Sequence, residues 1–160
     1  MPRKLLWIAV VALLVSPVLL RILVRIASPR PGNLGVRDGR LTAPPATPNC
    51  VSTQADDSAH AISPLQFDDS PDRAFDRLRD VLAALPRARL ITDEPQYLHY
   101  EFTTLVCGYI DDVEFLLDPE GRTIHFRSAS RLGRSDLGLN RKRMETIRAA
   151  FSLAAGQAGE

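Results

Sequence analysis

The feature that most restricts the fold is a pair of alternating runs on either side of Asp118-Pro119-Glu120-Gly121. Pro at the second position and Gly at the fourth suit a four-residue type I turn, which sets Leu117 opposite Arg122 and makes a hairpin. Successive side chains of a strand point to opposite faces. One face then carries Val113, Phe115, Ile124 and Phe126, with Tyr109 and Asp111 towards the open end. The other sets Asp112 opposite Arg127 and Glu114 opposite His125, cross-strand pairs worth about 0.2–1 kcal/mol each. Residues 97–103 alternate in the same way, and a turn at Cys107-Gly108 pairs them antiparallel with the hairpin. Leu98, Tyr100 and Phe102 must join the apolar face, so His99 and Glu101 join the polar one. A slip of one residue would exchange the faces.

Helices flank these strands. Ser70-Pro71-Asp72 combines an N-cap, a first-turn Pro and an acidic first turn, and Phe75, Leu78, Leu82 and Leu85 follow at helical spacing until Pro86. Residues 87–92 read as a short strand. A last helix starts near Asp136 or Asn140 and carries Met144, Ile147, Phe151 and Ala154 on one stripe. The expected class is α+β: a two-layer sandwich of a three- or four-stranded antiparallel sheet with both helices on its apolar face. Arg141, Lys142 and Arg143 fall in the first turn of the last helix, where the helix dipole disfavours cations. The acidic group Asp111, Asp112 and Glu114, an anionic ligand or a lipid headgroup would compensate.

The N-terminal end has a different character. Residues 5–20 are apolar apart from Ser16 and Pro17 and follow Arg3 and Lys4; with Arg21 and Arg25 snorkelling, the run reaches Ile26. That is about the 20 residues a bilayer requires. An uncleaved anchor over residues 1–27 is preferred to a cleaved signal, because no small-x-small site follows the run. Arginines after the run favour a cytoplasmic domain by charge count, but a short basic N-terminus before one apolar helix is the usual export signal, and an exported domain is expected. Residues 28–48, rich in Pro, Gly and Arg, read as a linker to a globular domain over 49–160. A net charge of +1 gives no reason to expect a nucleic acid partner. Cys50 and Cys107 fit no zinc or redox spacing and leave a disulfide open.

Three chemistries compete for the polar residues. Arg127, Arg131, Arg134, Arg141 and Arg143 can clamp a carboxylate or phosphate, or can form an internal network with Asp111, Asp112, Glu114 and Asp136. The expected ligand-binding set is Asp111, Asp112, Glu114, Arg127, Ser128, Ser130, Arg131, Ser135, Asp136, Asn140, Arg141 and Arg143. In the alternative, His99, Glu114 and His125 hold a divalent metal for hydrolysis, with Glu101 nearby. A Ser-His-Asp triad is disfavoured, since no nucleophile elbow exists and His125 and Ser128 lie on opposite faces. No Gly-rich phosphate loop or dinucleotide fingerprint points to an organic cofactor. His60 reads as a loop residue bonded to backbone. The resulting expectation is a membrane-anchored, non-catalytic binding or assembly module whose Arg/Asp patch engages an anionic small molecule or protein partner; the metal-assisted hydrolase is the alternative.

Several segments resemble the domain of unknown function 1499 family: Pro48-Asn49-Cys50-Val51-Ser52, residues 60–65, Tyr97-Leu98-His99, residues 108–115, and residues 127–131 through 140–143. The resemblance spans residues 49–151. It implies a single domain, often behind an apolar N-terminal segment, in bacteria and plastid-bearing organisms, and carries no catalytic assignment.

Overall fold

The alternation around Asp118 does fold as a hairpin in a computed structural model that describes the backbone of residues 2–157 and the side chains of residue 7 and residues 15–157. In chain order the elements are α1 (Pro2–Ala27), β1 (Val36–Arg37), β2 (Arg40–Leu41), β3 (Cys50–Ser52), β4 (Leu65–Gln66), α2 (Pro71–Ala83), β5 (Ala88–Glu94), β6 (Tyr97–Thr103), β7 (Ile110–Asp118), β8 (Thr123–Ser130) and α3 (Leu139–Gln157). The main sheet is antiparallel, in the order β3-β8-β7-β6-β5, with β4 also on β8. It has six strands rather than three or four. β3 and β4 are three and two residues long, too short to show a period.

The apolar face is as expected. Ser70 caps α2 by accepting from the Arg73 amide, and Ala74, Phe75, Leu78 and Leu82 are buried. α3 buries Asn140, Met144, Ile147 and Phe151. Both stripes join Leu98, Tyr100, Val113, Phe115, Ile124 and Phe126 in one core. Each fully buried Leu, Ile or Phe there contributes about 1.5–3 kcal/mol.

The hairpin register differs from the expectation. Leu117 faces Ile124 and Asp118 faces Thr123. The four-residue loop is moved one position along the chain, to residues 119–122, and Arg122 takes a left-handed φ of 50°. It is tied there by its side chain to the Asp68 and Asp69 carbonyls, and its own carbonyl accepts the Phe67 amide at 3.2 Å. An even shift leaves each residue on its face but changes every cross-strand partner. Glu114, not Asp112, is opposite Arg127; Asp112 faces Ala129, and His125 faces Leu116.

The polar face is not open to solvent. Residues 28–42, expected as part of a linker, run across it as a strap that includes the β1–β2 hairpin. Leu41 is buried against Tyr97 and Leu116 in a second small cluster, and its amide bonds to Gln54 Oε1 at 2.9 Å. Every residue of β7 up to Leu117 is consequently buried, on both faces.

Among the described residues no helix is long and apolar enough to cross a membrane. The expected anchor rests largely on side chains of residues 5–14, which, apart from Trp7, lie outside the described residues. From Val15 to Ala27 the helix is only about 20 Å long at 1.5 Å per residue. Of its described apolar side chains Val24 is buried, while Val18, Leu19, Ile22 and Ile26, among others, are exposed.

Candidate functional site, a buried arginine–carboxylate network

Two polar clusters form on the two faces of β7, because alternation sends Asp111 to one side and Asp112 and Glu114 to the other. Both are buried, and both are internally neutralised.

On the helix side Asn140 is the hub. Its Oδ1 accepts from Ser128 Oγ at 2.6 Å and Arg143 Nη1 at 2.5 Å. Its Nδ2 donates to the Asn49 carbonyl at 2.9 Å and to Ser130 Oγ at 3.0 Å. Asp111 accepts from Ser130 Oγ and Arg143 Nη2. Asp136 caps α3, taking the Gly138 and Asn140 amides at 3.1 and 2.7 Å, while Ser135 Oγ accepts the Leu137 amide. The first-turn cations are thus compensated in part from within: Arg143 by Asp111, and Arg141 by the Ala59 carbonyl at 3.0 Å.

On the strap side Arg131 is the hub. Nε and Nη2 grip the Asp112 carboxylate at 2.8 and 2.7 Å, Nη2 also reaches Glu101 at 2.6 Å, and Nη1 donates to the Ser28 carbonyl at 3.3 Å. His99 Nε2 lies 2.8 Å from Asp112 Oδ1. Glu101 also accepts from Arg30 at 2.8 Å and Arg89 at 2.7 Å. Glu114, fully buried, accepts from Arg127 at 2.9 Å, Tyr97 Oη at 2.8 Å and the Gly35 amide at 2.7 Å.

The protonation states follow. Burial alone would raise Glu101, but hydrogen bonds from Arg30, Arg131 and Arg89 outweigh it and bring the carboxyl down to about 2. Asp112 is likewise lowered, burial being overcome by Arg131 and His99. Burial beside the Glu114 carboxylate pushes the Tyr97 phenol well above its usual range. Glu101 and Asp112 are therefore charged at neutral pH and already paired.

The structure therefore unites most of the expected ligand set, but as two networks rather than one patch. Arg127, Arg131 and Arg143 spend their charge on carboxylates within the domain. The metal alternative is not assembled. His99 is bonded to Asp112, while His125 bonds Thr53 Oγ1 at 3.1 Å on the far side of Leu116. Among the described residues no group of three or more His, Cys, Asp or Glu is placed to hold a metal ion. Burial lowers the His125 pKa and favours its neutral form. His60 is a loop residue, as expected, held by Asp57 at 2.8 Å and the Thr47 carbonyl at 3.1 Å. Cys50 and Cys107 are free thiols, and burial raises the Cys50 pKa to about 11. Openings adjoin the fold among the described residues. One of about 240 Å³ lies between the strap and Tyr97 and His99. An open groove of about 980 Å³ runs between α2 and α3, away from both networks.

Sequence reasoning passed over Tyr97, Arg89, Asn49 and, above all, Arg30 and Gly35. The last two sit in the segment read as linker, 71 and 79 residues from the carboxylates they meet. No local pattern signals such contacts.

Comparison with family profiles places residues 40–151 in the family described as protein of unknown function, DUF1499. The chain belongs to the DUF1499 family. The match takes in both networks' β-strands and most of α3, and begins at β2, so Ser28, Arg30 and Gly35 of the strap precede it. No curated protein and no solved structure matches the chain.

Proposed function

We propose that this DUF1499 chain is a membrane-anchored, non-catalytic assembly module in which the arginine–carboxylate networks act as an internal joint rather than as a surface offered to an anion. The observation that carries this reading is the continuous set of contacts from α1 into the sheet. Arg21 Nη1 donates to the Leu105 carbonyl at 2.6 Å, and Val24 and Ser28 are buried. The Ser28 carbonyl then meets Arg131, Arg30 pairs with Glu101, and the Gly35 amide meets Glu114. Helix and domain are joined without a flexible spacer, which suits a device that holds its domain at a set height and tilt. The apolar run of residues 5–20 and the exposed apolar side chains of α1 from Val15 onward support a lipid location for the helix. A non-catalytic role is supported by the pairing of every candidate acid and base in the networks with an internal partner.

The test is alkaline carbonate washing of membranes from cells expressing the full chain. Retention in the pellet is expected. Quantitative release into the supernatant would refute the anchored reading.

A further inference from the structure

The open end of the sheet, where β5 begins, β6 ends, β7 begins and β8 ends, gathers exposed apolar and basic residues, and α1 touches it at the β6–β7 loop. Three loops lie at this end: α2–β5, β6–β7 and β8–α3. The β6–β7 loop exposes Leu105 and Val106, 66% and 74% accessible. The β8–α3 loop exposes Leu137, 97% accessible and held at a left-handed φ of 55°. A leucine in that conformation with its side chain open to solvent is a local rule broken twice, and such breaks mark functional positions. Arg87, Arg134 and Lys142 are exposed at the same end, and none has an ion-pair partner among the described residues. Of the carboxylates at this end, Asp111 is paired with Arg143 and Asp136 is turned to the α3 amides.

The position of α1 decides what this end faces. Arg21 not only donates to Leu105 but also packs over Gly108, where an added Cβ would lie 3.3 Å from Arg21 Cγ. Gly108, at φ 75°, is what lets the loop approach so closely. Exposed apolar residues of α1 continue beyond this contact to Ile26, 73% accessible. Five residues are about 7.5 Å of helix. The loop therefore meets the helix at a level where the helix itself is still apolar.

We infer that this end of the domain is a second membrane contact: Leu105, Val106 and Leu137 enter the bilayer interface beside α1, and Arg87, Arg134 and Lys142 lie against anionic headgroups. The inference rests on the anchored reading above. Lipid is the occupant the geometry favours, because the apolar tips continue the exposed surface of the anchoring helix and basic residues rim them, as at anionic membrane surfaces.

The test uses the full chain in a Trp7→Phe background, reconstituted into phosphatidylcholine–phosphatidylglycerol vesicles with dibrominated acyl chains. One variant carries Val106→Trp and the other Leu153→Trp, at an exposed α3 site about 21 Å along the helix from Leu139. The Val106→Trp emission should shift to the blue and lose most of its intensity to bromine quenching, while Leu153→Trp stays bright. If both variants float with vesicles and the Val106→Trp signal is unquenched, the second contact is wrong and the anchor stands. Quenching at both sites rejects the proposed orientation. Failure of the chain to float with vesicles overturns the anchor and this contact together.

Discussion

Replacing Arg131 with methionine tests whether the buried network holds the strap. The Arg131 side chain is only 5% exposed and makes four hydrogen bonds, two of them to Asp112, one to Glu101 and one to the Ser28 carbonyl. Methionine fills much of the same volume and supplies none of these donors. Asp112, 2% exposed at its side chain, would keep only His99, and Glu101 would keep Arg30 and Arg89, which are themselves about half exposed. Removing one member of a buried ion pair costs about 3–5 kcal/mol. A domain of this size is stable by about 5–15 kcal/mol, so the loss would be a large fraction of the whole. Glu101 and Asp112 are depressed below the ordinary carboxylate range. Their stabilisation is present above that range and is lost as pH falls through their folded values, about 2 for Glu101. In Arg131→Met the folded pKa values rise towards the unfolded ones. The gap between the two proteins should therefore be widest above pH 5 and narrow on acidification. Urea denaturation of the full chain in detergent, followed by far-ultraviolet circular dichroism at neutral and acid pH, measures this. A loss below about 1 kcal/mol at neutral pH, the worth of an exposed pair, or a gap that does not narrow, would refute the reasoning.

Two further outcomes follow from particular contacts. Glu114→Gln should destabilise more than Arg127→Met: Arg127 is 4% exposed, and among the described residues its Nε has no partner and Glu114 supplies its one ion pair, whereas Glu114 would retain Tyr97 and Gly35. The opposite order in the same denaturation assay would sink that assignment. Iodoacetamide at pH 8 should label Cys107 in the native chain and spare Cys50, which is buried with a pKa of about 11 and so roughly one part in a thousand thiolate. Mass spectrometry of the alkylated chain reads this directly, and labelling of Cys50 without denaturant would contradict its placement between β8 and the Pro45 and Thr47 carbonyls.

The candidate site was legible as a set of residues but not as a set of pairs. Period-two alternation put His99, Glu101, Asp112, Glu114 and Arg127 on one face, and the structure keeps them there. The partners of Asp112 and Glu114 were misassigned because a two-residue shift preserves the faces, leaving nothing in the alternation to detect it. That shift is fixed by Arg122, whose left-handed backbone depends on carbonyls of Asp68 and Asp69 far away in the chain. The strap was invisible for a related reason. Pro, Gly and Arg without periodicity describe a linker equally well, and only packing against Tyr97 and Leu116 distinguishes the two.

By itself, then, the sequence determined what local chemistry can enforce: the faces of three strands, the Ser70 cap and stripe of α2, the stripe of α3, and family membership. Tertiary structure alone decided that both faces of the sheet are covered, and that the arginines are spent on internal carboxylates. It also decided that α1 lies against the open end of the sheet. Alternation and capping act over a few residues. A buried charge is satisfied by whichever opposite charge the whole fold brings within 3 Å, and for Glu101 two of the three guanidiniums come from outside its β5–β6 hairpin, Arg30 on the strap and Arg131 just after β8.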